Sequence, residues 1–564
     1  MDPTALDEFS TVLKSLTTSL VAYYANSPPG ASTTTDSTPA PTVPPRVLPS
    51  PSALDSARSY LHHTLPSYKS TSTGPLESIT SHLLSLLTAF PSTSTSAHYY
   101  GFITGGVTPA ALIGDYIAST IDQNVQVHLP KESLATEVEQ CALSMLAELL
   151  RIPGNFKGRA FTTGATGSNV LGLAAAREAL VDARIRQLRS NKIHDDEHVE
   201  KDGGISVGEL GLLEACHLAG IGKIQILTAG AHSSIPKATS IIGLGRSAII
   251  DISRSDRPWE VDVTQLQEKL NEAKEKGWVS VVVLGMGEVN TGYFPAAGEV
   301  EEVMSVTRKF GGVEGGVWVH VDAAFGIFAR VFMDESQEDW EAEVGKWANG
   351  LELVDSITGD AHKLLNVPYD CGFFFTRDPI YLQHTFINMA PYLSSGSTNP
   401  NDIPSPLNIQ MENSRRFRAL PVYATLAAYG VPGYRNFMRR CILHARAIAR
   451  YIGTSIDYEL LPDQAAEFED LTSKDALEAR LGKTFMVVLF RAKDEKLNEM
   501  LKERINETGK MYVSGTVWEG KKAVRCAVGN WRVRGERDGE GGWGVAVDVL
   551  EQVARGFEQE KFGN

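Results

Sequence analysis

Between about residues 140 and 380, short apolar runs alternate with stretches of amphipathic helical periodicity. This alternation narrows the possible folds more than any other feature of the chain. The runs are KIQILTA (223–229), SAIIDI (247–252), VSVVVLG (279–285), VWVHVDAA (317–324) and CGFFFTR (371–377). They are apolar at consecutive positions rather than at every second one, the pattern of strands covered on both faces. Between them lie segments such as DVTQLQEKLNEAKEKG (262–277). There Asp262 is placed to cap the first turn and Gln265 stands at the capping-box position. Val263, Leu266, Leu270 and Ala273 then form one apolar stripe. Such strands and helices imply an α/β fold with a largely parallel sheet and helices on both faces. Ligands in such folds bind at the carboxyl ends of the strands, so chemistry is sought in the loops that follow them.

The two ends of the chain read differently. Residues 5–25 predict a helix with Leu6, Phe9, Val12 and Leu13 on one face. Residues 27–50, dense in Pro, Ser and Thr, cannot bury enough apolar area to offset their ordering entropy and predict a flexible connector. A polar stretch at 190–204 predicts a surface insertion between two helices. After about residue 400 a helical region (411–453) precedes strand candidates TFMVVLFRA (484–492) and AVRCAVGN (523–530), which predicts a smaller α+β domain. The expected organisation is an N-terminal helix and flexible segment over 1–75, a large domain over 76–400 and a small C-terminal domain over 401–564. The length of 564 residues agrees with more than one domain.

Composition removes several classes. With 53 Lys+Arg against 68 Asp+Glu the formal net charge is -15, which argues against nonspecific nucleic-acid binding and against docking on anionic membranes. No apolar run approaches the roughly 18 residues of a membrane helix. The opening MDPTALDEFS has no basic segment followed by an apolar one, so no signal peptide is expected. Five dispersed cysteines with no CxxC pair read as reduced thiols of a cytoplasmic protein, with neither a disulfide frame nor a metal site.

Four segments carry chemistry. In DSITGDAHKLLNVPYDCG (355–372), Lys363 lies in a loop flanked by Leu364, Leu365 and Val367, too apolar for a surface turn. A lysine in a low-dielectric site loses its proton readily and forms a Schiff base with a carbonyl, although most lysines are simply solvated. In HVDAAFG (320–326), Asp322 ends an apolar run. A buried acid needs a partner; a protonated pyridine nitrogen is a suitable one, and a helix cap on the next element explains the residue equally well when it stands alone. In FTTGATGSNVLGLAAARE (161–178) a short strand enters a Gly/Thr loop and then a helix, where backbone N–H groups and the hydroxyls of Thr163 and Thr166 form an anion cup. It has neither the lysine of a nucleotide P-loop nor a GxGxxG, which speaks against a dinucleotide-dependent oxidoreductase. In AGAHSSIPKA (229–238), His232 follows a strand; a lone histidine is more often structural, and beside a flat cofactor it could stack on the ring.

Cup, histidine, aspartate and lysine follow in that chain order. The order resembles the fold-type I pyridoxal-phosphate enzymes, and more closely the group II amino-acid decarboxylases, which include the aromatic-L-amino-acid, glutamate and tyrosine decarboxylases. The matching text is FTTGATGSNVLGLAAAR, AHSSIPKA, GEVNTGYF, HVDAAFG, DAHKLLNVPYDCG, SRRFRALPVYATLAAYGVPGY and VGNWRV, over roughly residues 75–560. The resemblance implies a mostly parallel seven-stranded sheet and pyridoxal 5'-phosphate as cofactor. It also implies a homodimer with shared active sites and a small-molecule amino-acid substrate. It implies that Lys363 holds the cofactor as an internal aldimine, that Asp322 pairs with the pyridine nitrogen, that Ala324 packs on the ring and that His232 stacks on the opposite face. Ala165 and Thr166 would bind phosphate, with His362 and Asp360 nearby, and His320 matches the histidine that precedes the family's aspartate.

The implied reaction is release of CO2 from an L-amino acid to give the amine, through an external aldimine and a quinonoid. The sequence departs from the family at three places. Glu288 stands where a threonine is usual, so a negative charge there could alter ring protonation or select a basic group on the substrate. Asp360 replaces an asparagine often found before the His-Lys pair. The loop that carries a catalytic tyrosine falls near 389–410, where Tyr392 is the only tyrosine. These departures keep an aldehyde synthase or a carbon–carbon lyase open as alternatives. A protein that has lost activity is disfavoured by retention of Lys363 and Asp322. Tyr100 and Phe102, in HYYGFITGGVTPAAL (98–112), are candidate substrate-pocket walls, and ordinary core packing explains them equally well.

Overall fold

All five apolar runs are strands in the computed structural model of the chain, which describes residues 3–24, 46–63, 76–90, 93–192, 206–333, 339–388, 403–462, 473–539 and 541–562. In chain order the strands are β1 (Tyr99–Tyr100), β2 (Gly158–Thr162), β3 (Ile224–Thr228), β4 (Ile249–Asp251), β5 (Val279–Gly285), β6 (Val317–Asp322), β7 (Ser356–Gly359), β8 (Gly372–Thr376), β9 (Tyr458–Leu461), β10 (Val487–Ala492), β11 (Tyr512–Trp518) and β12 (Lys521–Ala527). The chain divides into two compact units, one formed by Gly105–Arg439 and the other by Met1–Thr104 with Arg440–Asn564.

The unit Gly105–Arg439 holds a seven-stranded sheet in the order β2-β8-β7-β6-β5-β3-β4. Strands β4, β3, β5, β6 and β7 run parallel, and β8 is antiparallel to both of its neighbours. The expected α/β architecture is therefore present. Phe373, Phe374 and Phe375 are all fully buried, which requires cover on both faces of β8. Each such ring contributes about 2–3 kcal/mol by leaving water. The helix Ala165–Lys192 lies in the same core, where Leu171, Ala174 and Ala175 pack with Ile226, Val281 and Trp318. The helix Val263–Glu275 starts as expected: Asp262 accepts the N–H groups of Thr264 and Gln265, and Leu266, Leu270 and Ala273 are buried.

Strand β7 is the element that the apolar pattern did not announce. Its residues, Ser-Ile-Thr-Gly, are fully buried although two of the four are polar. Ser356 and Thr358 direct their hydroxyls to buried partners, and Gly359 leaves room for the Phe373 ring, which a Cβ would meet at 2.0 Å.

The other unit holds a five-stranded sheet in the order β1-β11-β12-β10-β9, antiparallel except for β1 against β11. Its core includes Tyr100, Ile448, Tyr458, Phe490, Val524 and Leu550. The boundaries differ from the expected ones at 75/76 and 400/401. Tyr99 and Tyr100 pair with Tyr512 and Val513, which groups the segment before residue 105 with the C-terminal strands. Residues 403–439 stay with the seven-stranded sheet, where Arg415 meets Glu139 and Arg418 meets Asp370. The N-terminal helix is Pro3–Tyr24. Residues 25–45 and 193–205, within the expected connector and insertion, lie outside the described residues. Residues 46–50 depart from the expected connector, since Val47 is buried and its N–H bonds the Gly509 carbonyl, and Pro51–His63, within the flexible segment expected over 1–75, is a helix.

Candidate active site

The register of the seven-stranded sheet brings the four chemical segments to one end. Strand β2 ends at Thr162, opposite Gly372 at the start of β8, and Gly359 at the end of β7 pairs with Phe373. Asp322 at the end of β6 pairs with Thr358 of β7 and Gly285 of β5. The cup loop after β2, His232 after β3, Glu288 after β5, Asp322 on β6 and Lys363 after β7 thus all leave the same edge, at the carboxyl ends of their strands.

At the cup, the helix Ala165–Lys192 starts directly after the loop Thr163–Gly164, with its first-turn N–H groups at the carboxyl edge of the sheet. The Ala165 N–H donates to Oδ1 of Asp360 at 2.7 Å. Gly164 has φ +140°, and a side chain there would sit 3.2 Å from the His362 ring. A Cβ on Gly372 would come within 2.6 Å of the Gly164 backbone, so both glycines are needed for β8 to pass this closely. Thr166 is half-buried at the head of the helix and Thr163 is exposed.

Strand β7 ends and Asp360 begins a single helical turn, Ala361–Leu364, which carries His362 and Lys363. Lys363 Nζ lies 3.3 Å from Oδ2 of Asp360, with its side chain only 19% exposed. His362 Nε2 is 3.4 Å from the same oxygen, its ring packs on Tyr369 at 4.5 Å, and its Nδ1 accepts the Cys371 N–H at 3.3 Å. Burial holds His362 below its ordinary pKa, and the accepting Nδ1 leaves the proton on Nε2. Burial likewise pushes the Cys371 thiol far up, out of the range of a nucleophile.

Around Asp322 runs a directional chain of hydrogen bonds. The indole N–H of Trp318 donates to Ser356 Oγ at 3.0 Å, Ser356 bonds His320 Nδ1 at 2.8 Å, and His320 Nε2 bonds Asn169 Oδ1 at 2.9 Å. Asn169 Nδ2 then donates to Oδ2 of Asp322 at 2.8 Å and to Ser234 Oγ at 3.0 Å. The Asp322 carboxylate only accepts, so the direction is set from that end: Asn169 turns its Nδ2 to Asp322 and its Oδ1 to His320, His320 carries its proton on Nε2, and Ser356 donates to Nδ1. Burial pushes His320 down to about 4, which keeps the ring neutral as this chain requires. Ser234 also bonds His232 Nδ1 at 2.8 Å and reaches Asp322 at 3.4 Å, linking the histidine loop to the aspartate. The Ala324 N–H donates to Oδ1 of Asp322 at 3.3 Å, and the Ala324 carbonyl accepts from the Asp360 N–H.

The structure therefore brings together Ala165, Asp360, His362 and Lys363 on one side and His232, Asp322 and Ala324 on the other. Asn169, Ser234 and Ser356 were missed from sequence. Glu288 is half-buried and hydrogen-bonded within its own turn: Oε2 accepts the N–H groups of Asn290 and Thr291 and the Thr291 hydroxyl, and Oε1 accepts from Asn290 Nδ2. Tyr100 and Phe102 fall in the other unit. Tyr100 is fully buried there, with its hydroxyl 2.9 Å from His444 Nε2, while Phe102 is exposed at φ 56°. Tyr392 lies outside the described residues. No group of three or more potential metal ligands occurs among the described residues.

A doubly covered, mostly parallel sheet with a lysine, an aspartate and an anion cup at its carboxyl edge defines a fold-type I pyridoxal-phosphate protein. Comparison with known proteins narrows the class. The model of the pyridoxal-dependent decarboxylase conserved domain matches residues 216–467. Tryptophan decarboxylase 1 of Oryza sativa subsp. japonica is 27% identical over 454 residues, covering 77% of each chain. The 4-hydroxyphenylacetaldehyde synthase of Rhodiola rosea is 23% identical over 470 residues, covering 81% of this chain and 82% of its own. The crystal structure of Oryza sativa TDC with PLP and tryptamine superposes with a TM-score of 0.73 at 22% identity over 99% of both chains. Over residues 216–467 the chain is similar to the pyridoxal-dependent decarboxylases, and its relatives support an amino-acid decarboxylase that uses pyridoxal 5'-phosphate.

The residues fit that cofactor. A primary amine is available for its carbonyl, a carboxylate held by three donor groups for its ring nitrogen, and a glycine-lined helix start for its phosphate.

Proposed function

We propose that this enzyme decarboxylates an aromatic L-amino acid to the corresponding amine. The observation that carries the reading is the placement of Lys363 and Asp322 after adjacent parallel strands, β7 and β6, with the cup of β2 at the same edge. The aromatic class is supported by tryptophan and aromatic-L-amino-acid decarboxylases among the relatives.

In this reading Lys363 holds the cofactor covalently through Nζ, and Ala165 and Thr166 hold its phosphate at the helix start, with His362 and Asp360 bordering the cup. Asp322 would pair with the ring nitrogen, and Ala324 and His232 would flank the ring. When bound, the cofactor supplies an electron sink for the bond that breaks. The protein's part is orientation: side chains around Asp322 fix the ring, and the apolar flanks of Lys363 exclude water. The amine of Lys363, when not bound to the cofactor, would also serve as a base and acid. Tyr392 is a second proton donor in this reading.

The enzyme acts as a homodimer in the cytoplasm. An exposed apolar stripe on the helix Pro109–Ile121, made by Ile113, Tyr116, Ile117 and Ile121, supports a partner surface. All five cysteines are free, which agrees with a reducing compartment, and among the described residues no helix is long and apolar enough to cross a membrane.

The test is product analysis with the cofactor-loaded protein and a panel of L-amino acids. CO2 with a stoichiometric aromatic amine is the expected result, and Lys363→Ala abolishes it together with the visible absorbance of the lysine-bound cofactor. A second reading, aldehyde formation, is favoured by the Rhodiola rosea relative. Aldehyde, ammonia and peroxide in place of amine would establish it and overturn the first.

A further inference from the structure

Asp360 is an anion set inside the cup. Its side chain is 5% exposed, and its two oxygens face in different directions. Oδ1 takes the Ala165 N–H at 2.7 Å, the main-chain donor that the functional reading assigns to phosphate. Oδ2 lies 3.3 Å from Lys363 Nζ and 3.4 Å from His362 Nε2. His362 is held neutral by burial and by the Cys371 N–H on its Nδ1, so it offers Asp360 a hydrogen bond but no charge. Among the described residues, the cation within ion-pair distance of Asp360 is Lys363, the residue whose amine the cofactor takes up.

We propose that Asp360 is the resident anion of the phosphate cup, occupying the Ala165 N–H until a phosphate displaces it, so that this chain binds its cofactor's phosphate against a like charge. This rests on the reading of the cup as the phosphate site. An asparagine would have the same size and could still accept from Ala165 through its oxygen, while turning an N–H₂ donor toward the phosphate. The aspartate instead keeps the empty cup neutralised and tied to Lys363, at the expense of phosphate affinity. Like charges this close, in a site largely withdrawn from water, weaken binding by about tenfold or more.

The experiment uses the full-length protein freed of cofactor. Dissociation constants for pyridoxal 5'-phosphate and for pyridoxal, which lacks the phosphate, are measured by fluorescence quenching for the wild type, Asp360→Asn and Asp360→Ala, and inorganic phosphate is titrated as a competitor. Loss of the Asp360–Lys363 ion pair alters attachment of both aldehydes alike, so the ratio of the two affinities isolates the phosphate. The expected result is a rise of about tenfold in the preference for the phosphorylated ligand in Asp360→Asn, with tighter competition by inorganic phosphate, and a rise in the same direction in Asp360→Ala. An unchanged or lower preference in both folded variants overturns the proposal while leaving the cofactor reading intact. Failure of the wild type to bind either aldehyde overturns both.

Discussion

Asn169 donates a 2.8 Å hydrogen bond to the carboxylate of Asp322 from four residues inside the helix that begins at the phosphate cup. One side chain thereby ties the helix of the cup to the strand that carries the ring partner. Asn169, oriented by the carboxylate, in turn fixes the tautomer of His320, whose Nδ1 accepts from Ser356. The direction of every bond in this chain leaves a donor pointing at Asp322, the carboxylate that the proposed function sets against the ring nitrogen.

Replacing Asn169 by Leu removes that donor, the bond to Ser234 and the acceptor for His320. The buried groups left behind cost about 1–3 kcal/mol of stability, read as a lower urea midpoint. Asn169→Asp is the more specific variant. It sets a second carboxylate beside Asp322, so the pair shares a proton, and the ring nitrogen loses its full counter-charge. The expected result is a folded protein with weakened cofactor retention and at least a tenfold lower decarboxylation rate. Wild-type cofactor affinity in Asn169→Asp would contradict the assigned role of the chain.

Gly172 is one turn further along the same helix. Ala in place of Gly ordinarily stabilises a helix interior by about 1 kcal/mol. Here a Cβ would lie 2.5 Å from Cε1 of His320 and 2.8 Å from its Nδ1, and the ring cannot move aside without breaking a hydrogen bond at one of its nitrogens. The clash decides the sign: Gly172→Ala is expected to destabilise by about 1–3 kcal/mol. In the double variant Gly172→Ala with His320→Ser, a smaller ring-free side chain relieves the overlap, so the combined loss falls below the sum of the single losses in denaturant midpoints.

These relationships mark where sequence reading stops. The strands β3, β5, β6 and β8 are near-continuous apolar runs and were legible; Asp322 stood out at the end of one, and Lys363 by the apolar residues that follow it. Strand β7 was not, since Ser356 and Thr358 give it no apolar period; their hydroxyls make sense only once His320 and Trp318 are seen beside them. Asn169 and Ser234 were hidden for the same reason: they act through partners 153 and 88 residues away, a separation no local pattern reports. The available signal was weak, a polar SN pair at 168–169 within an otherwise Ala/Leu helix. Glu288 shows the converse, a charge read only against a ligand whose local partners in the turn Asn290–Thr291 the sequence did not announce.

Stability should fall between acid and neutral pH through Glu299. Burial is the main cause that pushes its carboxyl up to about 7, with Glu260 adding to the rise and the N–H groups of Val261 and Ala296 and the Arg254 charge opposing it. The unfolded chain releases this proton near the ordinary value of 4.5. Between the two values the folded state holds a proton that the unfolded state has lost. The associated stability is therefore fully present below about pH 4.5 and disappears as the pH rises through 7. Glu299→Gln stays neutral throughout, so its stability relative to wild type should grow by about 2 kcal/mol between pH 5 and pH 8, seen in urea midpoints at the two pH values. Parallel curves for the two proteins would rule out Glu299 as the titrating group.

Arg415 carries the test of why residues beyond 400 belong with the seven-stranded sheet. Its Nη1 bonds both carboxylate oxygens of Glu139 at 2.7 Å, and the arginine side chain is wholly buried. The Arg415 N–H also bonds Asn124 Oδ1, so the segment is pinned at main chain and side chain alike. Arg415→Met fills similar volume but leaves Glu139 charged and unpaired, at a cost of about 3–5 kcal/mol. Adding Glu139→Leu removes the stranded charge. The double variant should recover most of the loss, because two apolar side chains of matched volume replace a buried ion pair at little or no net cost. Calorimetric unfolding of the four proteins of this cycle measures the coupling; additive losses would show that the pair does not fasten this segment.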